Sequence, residues 1–424
     1  MTNKIKFITT PIFYPSGNVH IGTLHSVIIG DFFARAFKFI GYEVQFLTGL
    51  DEHGGKIENI CNKLNIKSQE YVDNISTNFQ DVFKLFHIDY NIFYRTTNIN
   101  HKNKVQLMWK KSFIIDKDNI PDDAVQITEK VYYLKLSILR DKLYHLLLNN
   151  NIVIPKDRLN EIFSWIKDDI KDLCISRERL NWGINVPDGH GIIYVWIDAL
   201  SNYINACEYP EINKYWSNVL HIIGKDITRF HTVYWLSILI ALDVVPNNIN
   251  ILIHNWWTIN GSKSSKSIGN VVDPILLFNK YGYAPIRFYI LFQNLMANDS
   301  EFNEQNLVEY FNTYMVNKFS NLVYRVQSII NKNNIEIQSI QINNLFIDNI
   351  TLAIEQHNIN DVLSIFFQEC DRLNKYIDDN KLWVNIHLIN DLWPQIYNLI
   401  LFCQVLIPFN YNNSIIFYKI NYQI

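Results

Sequence analysis

The chain has 424 residues, 48% of them apolar, enough for two or three domains with full cores, and no apolar run reaches membrane-span length, the best (Trp235 to Val245) being broken by Asp243. Its formal net charge of −3 excludes the bulk basic character of a nucleic-acid binder, so any such contact needs a local basic surface. Five cysteines (Cys61, Cys174, Cys207, Cys370, Cys403) stand singly with no CxxC pair, which argues against a disulfide framework or zinc knuckle and for reduced thiols in a cytoplasmic protein.

The first strand, Lys4 to Thr10, begins almost at Met1 and leaves no room for a presequence. A turn follows from Pro11 to Gly17. Leu24, Val27, Ile28, Phe32 and Phe39 then recur at helical spacing up to Gly41, and Glu43 to Thr48 reads as a second strand. The result is a βαβ unit of the nucleotide-binding kind. At its helix start, Val19-His20-Ile21-Gly22 offers unpaired N–H groups, a glycine that admits a ligand to the backbone, and an imidazole that can donate to a phosphate. A histidine beside a glycine at a helix start is more often just an N-terminal turn.

Asp51, at the C-terminal edge of the second strand, sits where open α/β sheets bind ligands; it could hold an ammonium or only cap the next helix. Residues 58–90 read as helical, with Tyr71, Ile75, Phe79, Val82, Phe83 and Phe86 on one face, and Phe93 to Thr97 as a strand or loop. From about Asn98 to Ser176 the pattern leaves the sheet: a polar loop at Asp116 to Asp123, then helices at Glu129 to Leu148 and Arg158 to Leu173, read as an insertion between two halves of one fold. Sheet patterning resumes at Gly191 to Trp196 and continues with a strand at Val219 to Ile223, a helix at Thr228 to Leu242 and a strand at Ile249 to His254. Ser262-Lys-Ser-Ser-Lys-Ser267 makes a mobile cationic loop suited to a polyphosphate, although a solvated Lys/Ser surface loop is the commoner meaning of the pentapeptide Lys263 to Ser267 alone. From about Asn306 onward almost everything is helical.

Together these pieces resemble the methionyl-tRNA synthetase family of class I aminoacyl-tRNA synthetases. His20-Ile-Gly-Thr23 stands at the family's HIGH signature and Lys263-Ser-Ser-Lys-Ser267 at KMSKS, in the right order and on the right elements. Thr9 to Tyr14, Gly49 to Gly54, Ile175-Ser-Arg177, Trp182-Gly183, Tyr194 to Ala199, Ile223 to Ile227 and Trp256-Trp257 are similar too, and the resemblance spans about residues 4 to 410. It implies a Rossmann-type parallel α/β sheet with a shortened helical insertion, followed by an all-α anticodon-binding bundle. The expected division is 1–97 and 177–258 for the two catalytic halves, 98–176 for the insertion, 259–305 for the KMSKS-like loop and stem-contact region, and 306–424 for the bundle.

The resemblance also implies ATP-dependent activation of L-methionine to methionyl-adenylate, with Mg²⁺ on the polyphosphate, and transfer to tRNA(Met). It assigns catalysis to His20, Lys263 and Lys266. The ATP site would comprise His20, Gly22, Thr23, Lys225, Asp226, Trp257, Lys263, Ser265 and Lys266. Methionine would lie among Ile12, Tyr14, Asp51, Trp196, Ala199, Tyr203, Ile227, Phe230, His231 and Trp235, with Asp51 on the α-ammonium and aromatic rings around the thioether. Asn321, Arg325 and Trp383 stand where the family reads the anticodon.

Three departures qualify these expectations. Thr23 replaces the second histidine of HIGH, so weaker ATP activation is expected, without loss. Ser264 replaces the usual methionine of KMSKS. The insertion has lost most of the knuckle that carries zinc in many relatives, so no zinc is expected, and a monomer is. Erosion at Thr23 and Ser264 leaves open a degenerate tRNA-binding paralogue, against which the retained Asp51, Lys225, Lys263 and Lys266 argue. A small adenylyltransferase of the wider HxGH group ranks last, because it would lack the terminal bundle.

Overall fold

The computed structural model describes residues 4–112, 132–167, 170–187, 189, 191–259, 261–263, 272–293, 298–336, 344–409, 417, 420 and 421. The expected Asp116 to Asp123 loop and the start of the Glu129 helix lie outside them. The chain divides into two compact units: Met1–Val19, Glu43–Phe83 and Asp89–Trp256 form the first; His20–Tyr42, Lys84–Ile88 and Trp257–Ile424 form the second.

The first unit is built on β1 (Ile5–Phe13), β2 (Glu43–Leu50), β3 (Ile92–Arg95), β5 (Val153–Ile154), β9 (Asn218–Gly224) and β10 (Asn248–His254). They form one six-stranded sheet in the order β3-β2-β1-β9-β10-β5, parallel throughout. A parallel sheet is covered on both faces, and Phe7, Phe46, Val219, Ile222, Ile251 and Ile253 in its central strands have no exposed surface. Gly49 allows β2 and β3 to meet: a Cβ there would stand 2.0 Å from the Tyr94 carbonyl oxygen. The short strands β4 (Tyr133–Leu134) and β6 (Leu173–Cys174) pair with each other, as do β7 (Ser176–Arg177) and β8 (Ile192–Ile193).

Three expectations need correction. The single helix over 58–90 is two, α2 (Gly55–Leu64) and α3 (Ser68–Leu85), because Asn65 caps the first in the left-handed region, with φ 53°. The segment between Asn98 and Ser176, which carries no sheet pattern, holds α4 (Ile99–Ser112), α5 (Leu136–Asn149) and α6 (Leu159–Lys167), but it also supplies β5 to the sheet edge beside β10. Two residues are too few for an alternation to be seen. The expected strand Gly191 to Trp196 shrinks to β8, and α7 (Val195–Ala206) starts within it. The signal for that helix is polar: Asp198, Ser201, Asn202 and Asn205 fall at helical spacing, yet this face is the buried one. Beyond β9, a π-turn at Phe230–Trp235 leads into α8 (Leu236–Leu242).

In the second unit, α1 (Ile21–Phe39) is the element that joins β1 to β2 along the chain. A small sheet of β11 (Trp257–Ile259), β12 (Ser262–Lys263) and β13 (Ser300–Glu301) follows, in the order β12-β11-β13. The rest is helical: α9 (Pro274–Tyr281), α10 (Tyr283–Gln293), α11 (Glu304–Tyr310), a π-segment Phe311–Ser320, α12 (Asn321–Asn333), α13 (Asn344–Glu355), α14 (Ile359–Asp379) and α15 (Ile389–Leu406). At its centre Arg287 and Asp31, both without exposed surface, pair at 2.5 Å, and Arg287 also donates to the Phe86 carbonyl at 2.9 Å. Among the described residues no helix is long and apolar enough to cross a membrane.

Candidate active site

In the first unit, strand order reverses at β1: β2 and β3 lie to one side, β9, β10 and β5 to the other. The crevice at the carboxyl ends of strands beside such a reversal is where open α/β sheets take ligands. Ile12 and Tyr14 stand at that end of β1, Asp51 after β2, Lys225, Asp226 and Ile227 after β9, and Trp256 after β10. One consequence of the topology is thus to gather chemistry-bearing residues from four separate stretches of sequence at one sheet edge.

The ten residues assigned to methionine fall into two layers. Ile12, Tyr14, Asp51, Trp196, Ile227 and Phe230 are half-buried, whereas Ala199, Tyr203, His231 and Trp235 are buried. Trp196 stacks on Phe230 with ring centroids 3.6 Å apart and planes at 13°. In the buried layer, Tyr203 Oη meets His231 Nε2 at 2.9 Å, and His231 Nδ1 meets the Ile227 carbonyl at 3.0 Å. A carbonyl only accepts, so Nδ1 carries the proton and Nε2 accepts from the tyrosine. Burial holds the His231 pKa down at about 4, so this imidazole is neutral near pH 7. Its position owes something to the π-turn, which starts at Phe230 and carries both His231 and Trp235.

Asp51 differs from its neighbours in being polar and incompletely satisfied. Its Oδ1 is buried and has no hydrogen-bond partner. Burial first, then the negative charges of Asp198 and Glu52, raise its pKa well above the usual 3.8, opposed by the backbone N–H of His53. The two neighbouring carboxylates are spoken for. Asp198 accepts from His53 Nδ1 at 2.6 Å and from His101 Nε2 at 2.7 Å. Burial would raise Asp198, but His53 and His101 outweigh it and hold the group at about 2. Glu52 pairs with Arg95 at 2.6 Å and accepts from Thr97. Tyr14 Oη takes the Ile57 N–H at 3.2 Å, and burial, with a smaller push from Asp51, lifts its phenol to about 12.

After β9, the Lys225 ammonium lies 4.1 Å from the Trp256 ring centroid, and the Trp256 indole N–H donates to Asp226 Oδ1 at 3.2 Å. Sequence reasoning assigned no role to Trp256, or to the buried His53, His101, Asp198 and His221. The signal for the last was available: a histidine inside the apolar run Val219 to Ile223 has to find partners in the core.

The remaining assigned residues lie in the second unit. His20 is the N-cap of α1: its Nδ1 accepts from the N–H groups of Gly22 at 3.1 Å and Thr23 at 3.3 Å, while the Ile21 N–H goes to the Val272 carbonyl. This corrects the expectation of unpaired N–H groups at that helix start, because the imidazole itself fills the position of an N-cap acceptor. With Nδ1 accepting, His20 carries its proton on Nε2 when neutral, so the donor it can offer is that nitrogen. Gly22 also proves to serve this cap, since a Cβ there would sit 3.0 Å from the His20 ring. Trp257 is buried, donates its indole N–H to His25 Nδ1 at 3.0 Å and stacks on Tyr289. Lys263 lies in β12 opposite Thr258, and Ser265 and Lys266 are outside the described residues. Asn321 is exposed, Arg325 is half-buried and pairs with Asp378 and Asn374 on α14, and Trp383 is 55% exposed.

The family model for class I tRNA synthetases (M) matches residues 6–127 and 112–327. A methionine--tRNA ligase of Rickettsia conorii is 34% identical over 430 residues, covering 90% of this chain and 84% of its own. That of Rickettsia prowazekii is 38% identical over 362 residues, covering 77% and 71%. Among solved structures, a Mycobacterium tuberculosis methionyl-tRNA synthetase in complex with methionyl-adenylate superposes with a TM-score of 0.81 at 26% identity, covering 95% of this chain and 89% of the other. With a parallel α/β sheet in its first unit, a family model matched over most of its length and relatives of this similarity, the chain belongs to the methionine-specific family of class I tRNA synthetases.

Proposed function

We propose that the chain is a methionine--tRNA ligase that activates L-methionine with ATP and passes the methionyl group to tRNA(Met). The observation that carries the amino-acid half of this reading is the buried, unpartnered Oδ1 of Asp51 at the carboxyl edge of β2. A carboxylate so placed calls for a cation, and an α-ammonium supplies one in the form of a charge-assisted hydrogen bond. The aromatic residues assigned with it, half-buried Trp196 and Phe230 and buried Tyr203 and Trp235, suit a polarisable thioether.

In the first step the substrate carboxylate attacks the α-phosphorus of ATP and pyrophosphate departs, so negative charge grows on the phosphate oxygens. His20 Nε2–H, Lys263 and Lys266 are the groups we assign to that charge, with Mg²⁺ accompanying the nucleotide. Gly22, Thr23, Lys225, Asp226, Trp257 and Ser265 complete the proposed ATP site by their match to the family motifs. For Trp257, whose indole is engaged with His25, the contribution would come through the backbone. Side chains position and stabilise here; none needs to become a nucleophile.

Asn321, Arg325 and Trp383 are proposed to read the anticodon, Trp383 by stacking on an unstacked base. The divisions 1–97, 98–176, 177–258, 259–305 and 306–424, the monomeric state, the cytoplasmic location and the absence of zinc belong to the same proposal. Methionine-dependent ATP–pyrophosphate exchange, followed by aminoacylation of total tRNA across the amino acids, tests it. Exchange with methionine and charging of tRNA(Met) are expected. Exchange driven best by another amino acid, or none at all, overturns the reading.

A further inference from the structure

Behind the proposed methionine site lies a histidine to which that reading gives no role. His221 is the register partner of Thr9 across the parallel pair β9–β1, and neither residue has exposed surface. An imidazole buried in the middle of a sheet must satisfy both ring nitrogens within the protein. Nδ1 lies 2.7 Å from Thr9 Oγ1, and Nε2 receives the indole N–H of Trp235 at 3.1 Å. An indole nitrogen can only donate, so Nε2 must keep its lone pair; in the neutral ring the proton is then on Nδ1, directed at the threonine. The same ring packs at a tilt against Tyr203, with centroids 4.5 Å apart and planes at 46°, while Trp216 packs edge-on against Trp235 at 6.0 Å. Tyr203 is fixed in turn through its hydroxyl, which donates to His231.

We propose that His221 is a specificity-determining positioning residue for methionine: through one acceptor nitrogen it fixes the ring of Trp235, and through its tilted ring contact it supports Tyr203. It acts through those two rings, without touching substrate. The polar edge of Trp235 is thereby turned to the sheet and satisfied there, and the aromatic layer keeps one arrangement before the amino acid arrives. Such pre-ordering acts on amino-acid binding rather than on the phosphoryl chemistry.

This inference rests on the proposed methionine site, and its test separates the two. ATP–pyrophosphate exchange is measured for the full chain and for His221→Phe, His221→Gln and His221→Asn. Phenylalanine keeps the ring and removes the acceptor. Glutamine can place an oxygen near the former Nε2 position, and asparagine reaches only toward Thr9. For His221→Phe the KM for methionine is expected to rise about tenfold, with kcat and the KM for ATP within about twofold of the unmodified chain. His221→Gln should recover most of that loss and His221→Asn little of it. In a Trp235→Phe background, which has no indole N–H, the step from histidine to phenylalanine at 221 should cost much less.

Equal losses in kcat and in both KM values, no distinction between glutamine and asparagine, or a full additional cost in the Trp235→Phe background would overturn the proposal. Failure of all three variants to fold would do the same, by making His221 structural only. An unmodified chain that shows no methionine-dependent exchange refutes the methionine site itself.

Discussion

Replacing Asp51 with asparagine should separate stability from function in opposite directions. The side chain keeps its shape and loses its charge. In the folded, substrate-free chain its Oδ1 is buried without a partner, a condition that costs about 1–3 kcal/mol for one polar atom. The amide keeps a buried polar atom there but removes the charge that burial, Asp198 and Glu52 disfavour, so Asp51→Asn should gain about 1–3 kcal/mol of stability. At about 2–4 °C per kcal/mol this is a rise in Tm of roughly 2–12 °C. Binding goes the other way. A hydrogen bond to a charged partner contributes about 1.5–3 kcal/mol, and losing it should raise the KM for methionine roughly 10- to 150-fold. The pH dependence has a definite sign. Because the folded-state pKa is raised above the usual 3.8, the folded chain holds an extra proton in the window above 3.8, and stability falls as pH rises through that window. Asp51→Asn should abolish that slope. Scanning fluorimetry with and without methionine, together with ATP–pyrophosphate exchange at varied methionine, reads all three effects. An unchanged KM for methionine, or a lower Tm in the variant, would refute the reasoning.

Other perturbations follow from groups already placed. Asp31→Asn leaves Arg287 buried with its charge uncompensated and should destabilise by about 3–5 kcal/mol; the pair Asp31→Leu with Arg287→Met should recover most of that, as urea unfolding will show. Asp198, held at about 2 against the usual 3.8, contributes about 2 kcal/mol of stability that is present above 3.8 and lost as pH falls toward 2; the difference in urea midpoint between the unmodified chain and Asp198→Asn should shrink over that interval. Thr23→His restores the second imidazole of the HIGH signature and should raise exchange at low ATP roughly tenfold, the size expected of one bond to a charged phosphate. Unchanged exchange would mean that Thr23 is not a handicap.

Much of the fold was legible because its signals are local. Alternation of Ile5 and Phe7 with polar neighbours marked β1, apolar-rich stretches marked β2, β9 and β10, and spacings of three and four marked the terminal helices. Where the reading missed, the deciding interactions were distant. Two residues at Val153–Ile154 become a strand only because β10 offers an edge. The run at Gly191 to Trp196 favours a strand by composition, yet α7 begins inside it because Asp198 and its helical neighbours find buried partners, among them His53 and His101 from far along the chain. The candidate site shows the same division. Asp51, Trp196, Tyr203, His231 and Trp235 could be named by resemblance to family motifs. That His20 caps its own helix, and that His221 stands behind Trp235, required knowing where side chains point.

The charges around Asp51 also bear on which end of an amino acid this site can read. Three acidic groups, Asp51, Glu52 and Asp198, converge near the carboxyl edge of β2, and each mutual repulsion raises the cost of burying them. Arg95 and Thr97 answer Glu52, and His53 with His101 answers Asp198. Among the described residues nothing answers Oδ1 of Asp51. A substrate carboxylate brought to that position would add a fourth negative charge, whereas an ammonium removes the imbalance. On the proposed reading the amino end is therefore the one held at Asp51, and the carboxylate is left free for attack on a phosphorus. An amino acid lacking its α-amino group but keeping the thioether side chain should accordingly fail to support exchange even at high concentration. If such an analogue were activated as readily as methionine, the unsatisfied carboxylate would have no part in recognition, and the orientation argued from it would be wrong.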